Sequence, residues 1–160
     1  MTTQTRSEAG AGGAIASFVR WTIGLMKKIP YWLIALMARV PVAGVFWLSG
    51  RTKVDGWNIF RINESAVLLF ENEFRLPLLN PVFAAHITAL AEHVFPVLLV
   101  IGLATRYSAL ALLVMTAVIQ IFVFPDAWPT HGTWTACFLI LIARGPGEIS
   151  IDHLIARRFR

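Results

Sequence analysis

Residues 81–104 read PVFAAHITALAEHVFPVLLVIGLA, with His86, Glu92 and His93 as the only ionisable side chains. At about 1.5 Å per helical residue, this stretch is long enough to cross a hydrocarbon core about 30 Å thick. Its apolar residues are consecutive rather than alternating, which argues against a barrel strand. A bilayer imposes a helix on such a run, because every backbone N–H and C=O must find its partner inside the segment. Three further stretches read the same way. Tyr31 to Gly50 is broken only by Arg39 and Pro41; Tyr107 to Phe124 carries Gln120 beyond Ser108 and Thr116; Ala127 to Ala143 has Trp128 and Trp134 as aromatic-belt residues and Arg144 at its far end. The pattern predicts an all-α integral membrane protein, an antiparallel four-helix bundle with spans at about 31–50, 81–104, 107–124 and 127–143. Gly44, Gly102 and alanine-rich faces are the expected points of close helix approach.

Composition agrees with this reading. Of 160 residues, 57% are hydrophobic and 14% charged, against about 25% charged in an ordinary soluble domain. That excludes a soluble enzyme, a disordered tail and a nucleic-acid-binding domain. The net charge of +5 arises from few acids (9) rather than many bases (14), so it reports topology and not a nucleic-acid partner. Nine Lys and Arg fall on one side: Arg6, Arg20, Lys27, Lys28, Arg106, Arg144, Arg157, Arg158 and Arg160. Four fall on the other: Arg51, Lys53, Arg61 and Arg75. By the positive-inside rule both termini are cytoplasmic, in a bacterial inner membrane. The lone Cys137 excludes an internal disulfide framework and reads as a small buried hydrophobe.

No repeat or linker divides the chain, which reads as one domain over 1–160. Residues 1–13 are small and polar, a disordered tail without the features of a cleavable signal peptide. Over 14–29, Ile15, Phe18, Val19, Thr22, Ile23 and Met26 share one helical face opposite Ser17, Arg20, Lys27 and Lys28. This predicts an amphipathic helix lying in the membrane interface and ended by Pro30, the alternative being a plain topogenic flank. Ser150 is placed to cap a similar C-terminal helix carrying Ile151, Leu154, Ile155 and Phe159. Residues 51–80 form the one large extracytoplasmic loop. Within it, Val67, Phe70 and Phe74 predict a half-helix dipping into the interface, framed by Pro77 and Pro81. Gly145-Pro146-Gly147 reads as a turn.

Ionisable residues inside spans are costly, and each is a functional candidate. Arg39 lies about 12 Å from the inner end of its span and Glu92 about 16 Å from the outer end of its own. In a hydrocarbon core about 30 Å thick these depths nearly coincide, which predicts an Arg39–Glu92 pair at the midplane, either a packing clamp or a catalytic site. His93, beside Glu92, suits proton movement. His86 and His93 are about 10.5 Å apart along one helix, too far to share an ion, whereas His86 and His131 both lie near the outer end. They are the candidate metal pair, for copper or haem, the alternative being hydrogen-bonded packing histidines. Trp47 either marks an interface and packs helices or offers a face for a quinone ring, and Arg106 is the other cofactor-binding candidate.

Several fragments in order resemble the DoxX family of four-helix membrane proteins. They are Arg39-Val-Pro-Val-Ala-Gly44-Val-Phe46 leading to Ser49-Gly50 and Lys53, then Glu92 with Leu98, Leu99, Gly102, Thr105 and Arg106, then Gly145-Pro-Gly-Glu-Ile-Ser150-Ile-Asp152. Pro41 and the long N-terminal segment depart from the pattern, and His86, His93 and His131 lie outside it. The family takes its name from a small subunit of a thiosulfate:quinone oxidoreductase, and relatives occur in oxidative-stress complexes of the membrane or beside enzymes that make metal-binding peptides. The resemblance implies an accessory or quinone-facing subunit of a membrane redox complex, sulfur or oxidative-stress related, not catalytic alone, with a protein partner and room for a homodimer. The alternatives are a membrane protein that handles copper or haem without catalysis, and a structural scaffold.

Overall fold

The computed structural model describes the backbone of residues 5–74 and 79–159, with side chains described from residue 13. Seven α-helices account for most of these residues: α1 (Thr5–Met26), α2 (Tyr31–Arg51), α3 (Glu64–Asn72), α4 (Pro81–Ile101), α5 (Thr105–Phe122), α6 (Trp128–Arg144) and α7 (Ile151–Arg158). A 3₁₀ turn, Pro125–Ala127, precedes α6. Among the described residues the only β pairing is an isolated bridge between Val54 and Ile62. The expectation of an all-helical chain is met. Helices α2, α4 and α5 are long and apolar enough to cross a membrane; α6 has 17 residues.

Four helices close into a ring, α2 packing on α4 and α6, and α5 on α4 and α6. The inward faces combine small or polar residues with a few large apolar ones. In α2 they are Ala35, Ala38, Arg39, Val42, Ala43, Phe46 and Gly50, at helical spacing; in α5 they are Thr105, Ser108, Ala109, Leu112 and Thr116. Large apolar side chains such as Leu48, Val114 and Ile121 point outward. Lipid permits this arrangement, since tails solvate outward Leu and Ile while the small inward residues let backbones meet. Gly50 shows the effect: a Cβ there would stand 2.9 Å from the His93 ring and 3.0 Å from the Glu92 Cβ. Gly44, expected to play the same part, faces open space.

The register between α2 and α4 decides where the charges go. Gly50 lies against Glu92 and His93, and Gly102 against Arg39. The helices are therefore antiparallel but not level, since level ends would set residue 39 opposite 93. The offset is nine to eleven residues, about 15 Å. Each protruding end has its own partner. The start of α2 packs on the segment after α6, with the Tyr31 hydroxyl donating to the Gly145 carbonyl at 2.7 Å. The start of α4 packs on α3, where Phe70 fits over Ala84 and Ala85. Hence Phe70 covers a helix rather than dipping into the interface. Pro77, the expected frame of that half-helix, lies outside the described residues.

The ends also differ from expectation in explicable ways. Helix α4 stops at Ile101 because Gly102 takes the left-handed conformation, φ +72°. Helix α5 begins at Thr105 because the Asp152 carboxylate accepts from the Ala104 and Thr105 N–H groups at 2.8 and 2.9 Å. Ser150 caps α7 as expected, accepting from the His153 N–H. Helix α1 starts at Thr5 instead of residue 14, with no proline to interrupt it. Replacing Asp152 with Ala removes two hydrogen bonds from the α5 N-terminus, and a loss of about 1–2 kcal/mol is expected. Unfolding in detergent measures it, and an unchanged midpoint contradicts the capping role.

Candidate functional site

Glu92 is buried on α4, and its partner is Lys53, not Arg39. Lys53 Nζ stands 2.8 Å from Glu92 Oε2. The expected midplane pair fails because of the α2–α4 stagger, which carries Arg39 toward Gly102 and Glu92 toward the far end of α2. There the chain turns back on itself, with Lys53 N–H bonded to the Gly50 carbonyl, and the lysine side chain folds inward. Ser49 completes the cluster: its hydroxyl donates to Glu92 Oε1 at 3.0 Å. Lys53 Nζ also lies 3.0 Å from the Ser49 hydroxyl oxygen and 3.2 Å from the Ser49 carbonyl. The ammonium thus has two hydrogen-bond acceptors on Ser49 and its counter-ion in Glu92, whose Oε2 has no hydrogen-bond partner among the described residues.

Arg39, 1% exposed, donates from Nη2 to the Ile149 carbonyl at 2.6 Å. Its Nε and Nη1 have no hydrogen-bond partner among the described residues. It is a latch on the segment before α7, at the opposite end of the ring from Glu92. His93 is buried as well. Its Nδ1–H donates to the Ala89 carbonyl at 2.7 Å, and its ring meets Trp47 edge-on at 5.0 Å. Both turn away from the cavity described next, and Trp47 lines a shallower apolar groove between α2 and α4. Arg106 is exposed and donates to the Ile142 carbonyl at 2.8 Å.

The Lys53–Glu92 pair lines a cavity of about 500 Å³ between the four ring helices and α3. Its walls are mainly apolar and aromatic, including Phe46, Phe70, Phe95 and Trp134; its other polar residues are Ser49, Thr88 and His131. A volume of this size suits one small-molecule ligand. His131, 4% exposed, packs against Trp134 with ring centroids 5.0 Å apart. Its Nδ1 lies 2.7 Å from Gln120 Oε1, while Gln120 Nε2 donates to the Pro125 carbonyl.

The expected His86–His131 metal pair is not assembled. His86 is exposed and bonded within its own helix, Nδ1 to the Val82 carbonyl at 2.7 Å, whereas His131 is turned to Gln120. Among the described residues no group of three or more His, Cys, Asp and Glu is placed to hold a metal ion. Lys53, read in the sequence only as an extracytoplasmic charge and as part of the family-like fragment, is the site residue that was not expected. Its signal was there in Ser49, Gly50 and Lys53 taken together: a glycine for close approach, and a hydroxyl and a cation one helical turn apart.

These features define a helical membrane protein whose outer faces are apolar and whose interior holds a buried ion pair beside an apolar cavity. Comparison gives the family. The DoxX family model matches residues 34–125, and the chain belongs to the DoxX family. The match takes in Arg39, Lys53 and Glu92, while His131 lies beyond it. An uncharacterized protein of Haemophilus influenzae is 29% identical over 130 residues, 76% of this chain and 83% of that one. No solved structure matches the chain.

Proposed function

We propose that this chain is a multi-pass inner-membrane subunit of a redox complex, sulfur or oxidative-stress related, that holds a quinone-class ring beside Lys53 and Glu92. The observation that carries this reading is the buried Lys53–Glu92 pair on the wall of a largely apolar cavity. Taking two charges out of water costs several kcal/mol each, offset only by good mutual geometry. A purely structural clamp needs no cavity beside it. A lipid-soluble ring with a polar edge needs both, an apolar chamber and a polar wall. Electrons would reach or leave such a ring through a protein partner.

Topology supports the placement. In this reading α6 is a fourth span, which completes the bundle. Lys27, Lys28, Arg106, Arg144, Arg157 and Arg158 then gather at the end where Tyr31 meets Gly145 and Asp152 caps α5, the arrangement of a cytoplasmic face. Helices α1 and α7 lie on the headgroups, with exposed apolar residues such as Phe18, Trp21 and Phe159 turned toward lipid.

Exchanging Glu92 for Gln tests the reading. The variant is expected to insert normally and to lose at least 90% of quinone-linked electron transfer in membranes, roughly the tenfold effect of 1.4 kcal/mol. Full electron transfer by an inserted Glu92→Gln protein rejects the role.

A further inference from the structure

From the fixed hydrogen-bond directions around the cavity, we infer that its ligand presents hydroxyl groups: a phenol or hydroquinone ring, bound in preference to the corresponding quinone or ether. This rests on the cavity being the ligand site and adds which form of the ring it selects.

The directions follow from neighbours whose roles are unambiguous. The Pro125 carbonyl can only accept, so Gln120 must present its amide nitrogen there and its oxygen to His131. An amide oxygen cannot donate, so His131 carries its proton on Nδ1. The remaining nitrogen, Nε2, is then a lone-pair acceptor in the neutral ring. At the other polar wall Lys53 Nζ donates to both Ser49 oxygens and is ion-paired with Glu92 Oε2, which has no hydrogen-bond partner among the described residues, and the Ser49 hydrogen is committed to Glu92 Oε1. A carboxylate offers about four lone-pair positions, so Glu92 retains accepting capacity after these contacts. The strongest unspent groups in the lining therefore accept.

Two other groups must be weighed. Thr88 has a hydroxyl that rotates to donate or accept and sets no preference. Trp134 carries an indole N–H, a fixed donor. A ligand hydroxyl can accept from Trp134 or Thr88 and at the same time donate to Glu92 or His131. A quinone carbonyl can only accept, and set against Glu92 it meets lone pair with lone pair. A hydrogen bond to a charged group is about twice as strong as a neutral one. That difference corresponds to a preference of at least tenfold.

The test uses the full chain in lipid nanodiscs, with empty nanodiscs correcting for partition. Three probes of equal alkyl length are titrated calorimetrically: an alkylphenol, its methyl ether and an alkyl-1,4-benzoquinone. The phenol is expected to bind at least tenfold tighter than the other two, and Glu92→Gln should shrink that margin to about threefold or less. Should that variant fail to fold, His131→Phe supplies the second measurement, again with a reduced margin. Equal binding of all three probes overturns the donor preference and leaves the cavity as a ligand site. No saturable binding of any probe overturns both.

Discussion

Lys53→Met is expected to destabilise the protein by about 3–5 kcal/mol, because it strands Glu92 as an unpaired buried charge. Both side chains are nearly inaccessible, 6% and 2% exposed, so solvation of the orphaned charge falls far short of the lost partner. Glu92→Leu should cost a similar amount by stranding the ammonium. The double variant Lys53→Met with Glu92→Leu removes both charges and is expected to lie within about 1 kcal/mol of the parent, or above it, as hydrophobic replacement of buried pairs often does. Reversible unfolding in mixed micelles of all four proteins closes the cycle. Strictly additive losses would show that the two residues do not stabilise one another. A control follows from the geometry. Arg39→Met combined with Glu92→Leu should show no such compensation, since these residues have different partners at opposite ends of the ring.

That control marks where sequence reasoning stops. The spans were legible because lipid leaves so little choice: Tyr31–Arg51, Pro81–Ile101 and Thr105–Phe122 follow the apolar runs to within a few residues. The buried charges were legible as well, since Arg39 and Glu92 stand out in any apolar stretch. Their partners were not. Depth along each span is a local property, but pairing depends on the relative shift of two helices. That shift is set by contacts distant in sequence, Tyr31 on Gly145 and Phe70 on Ala84 and Ala85. Lys53 was hidden for a related reason. It follows the end of α2 among charged loop residues, where a lysine ordinarily faces water, and only the tight turn after Gly50 brings it inside. The histidines show the same limit. His86 and His131 both lie near one end of their apolar runs, but one is exposed and the other turns to Gln120.

The other end of the ring carries the second large effect, at Gly102. Gly102→Ala is expected to cost about 3 kcal/mol or more through two separate mechanisms. The first is conformational: φ is +72°, where a side chain costs about 1–2 kcal/mol. The second is steric. A Cβ at this position would stand 2.3 Å from Arg39 Nη1, 2.4 Å from the Ser150 Cβ and 2.9 Å from the Ser150 Cα. The guanidinium has nowhere to retreat, being buried and bonded to Ile149. Ser150 cannot yield alone either, because the backbone around it is tied to the turn: the Asp152 N–H donates to the Gly102 carbonyl at 2.9 Å. Relief therefore requires the segment from Gly145 to Asp152 to lift, which uncaps α5 and strips Arg39 of its carbonyl partner. Two measurements read this separately. Unfolding in detergent should show the loss of stability, and limited trypsin digestion should show faster cleavage after Arg157 and Arg158. Gly44→Ala is the matched control, since a Cβ there meets nothing within 4 Å, and it should be neutral or slightly stabilising. Equal behaviour of the two variants would mean that Gly102 is not the point on which the Arg39 latch closes.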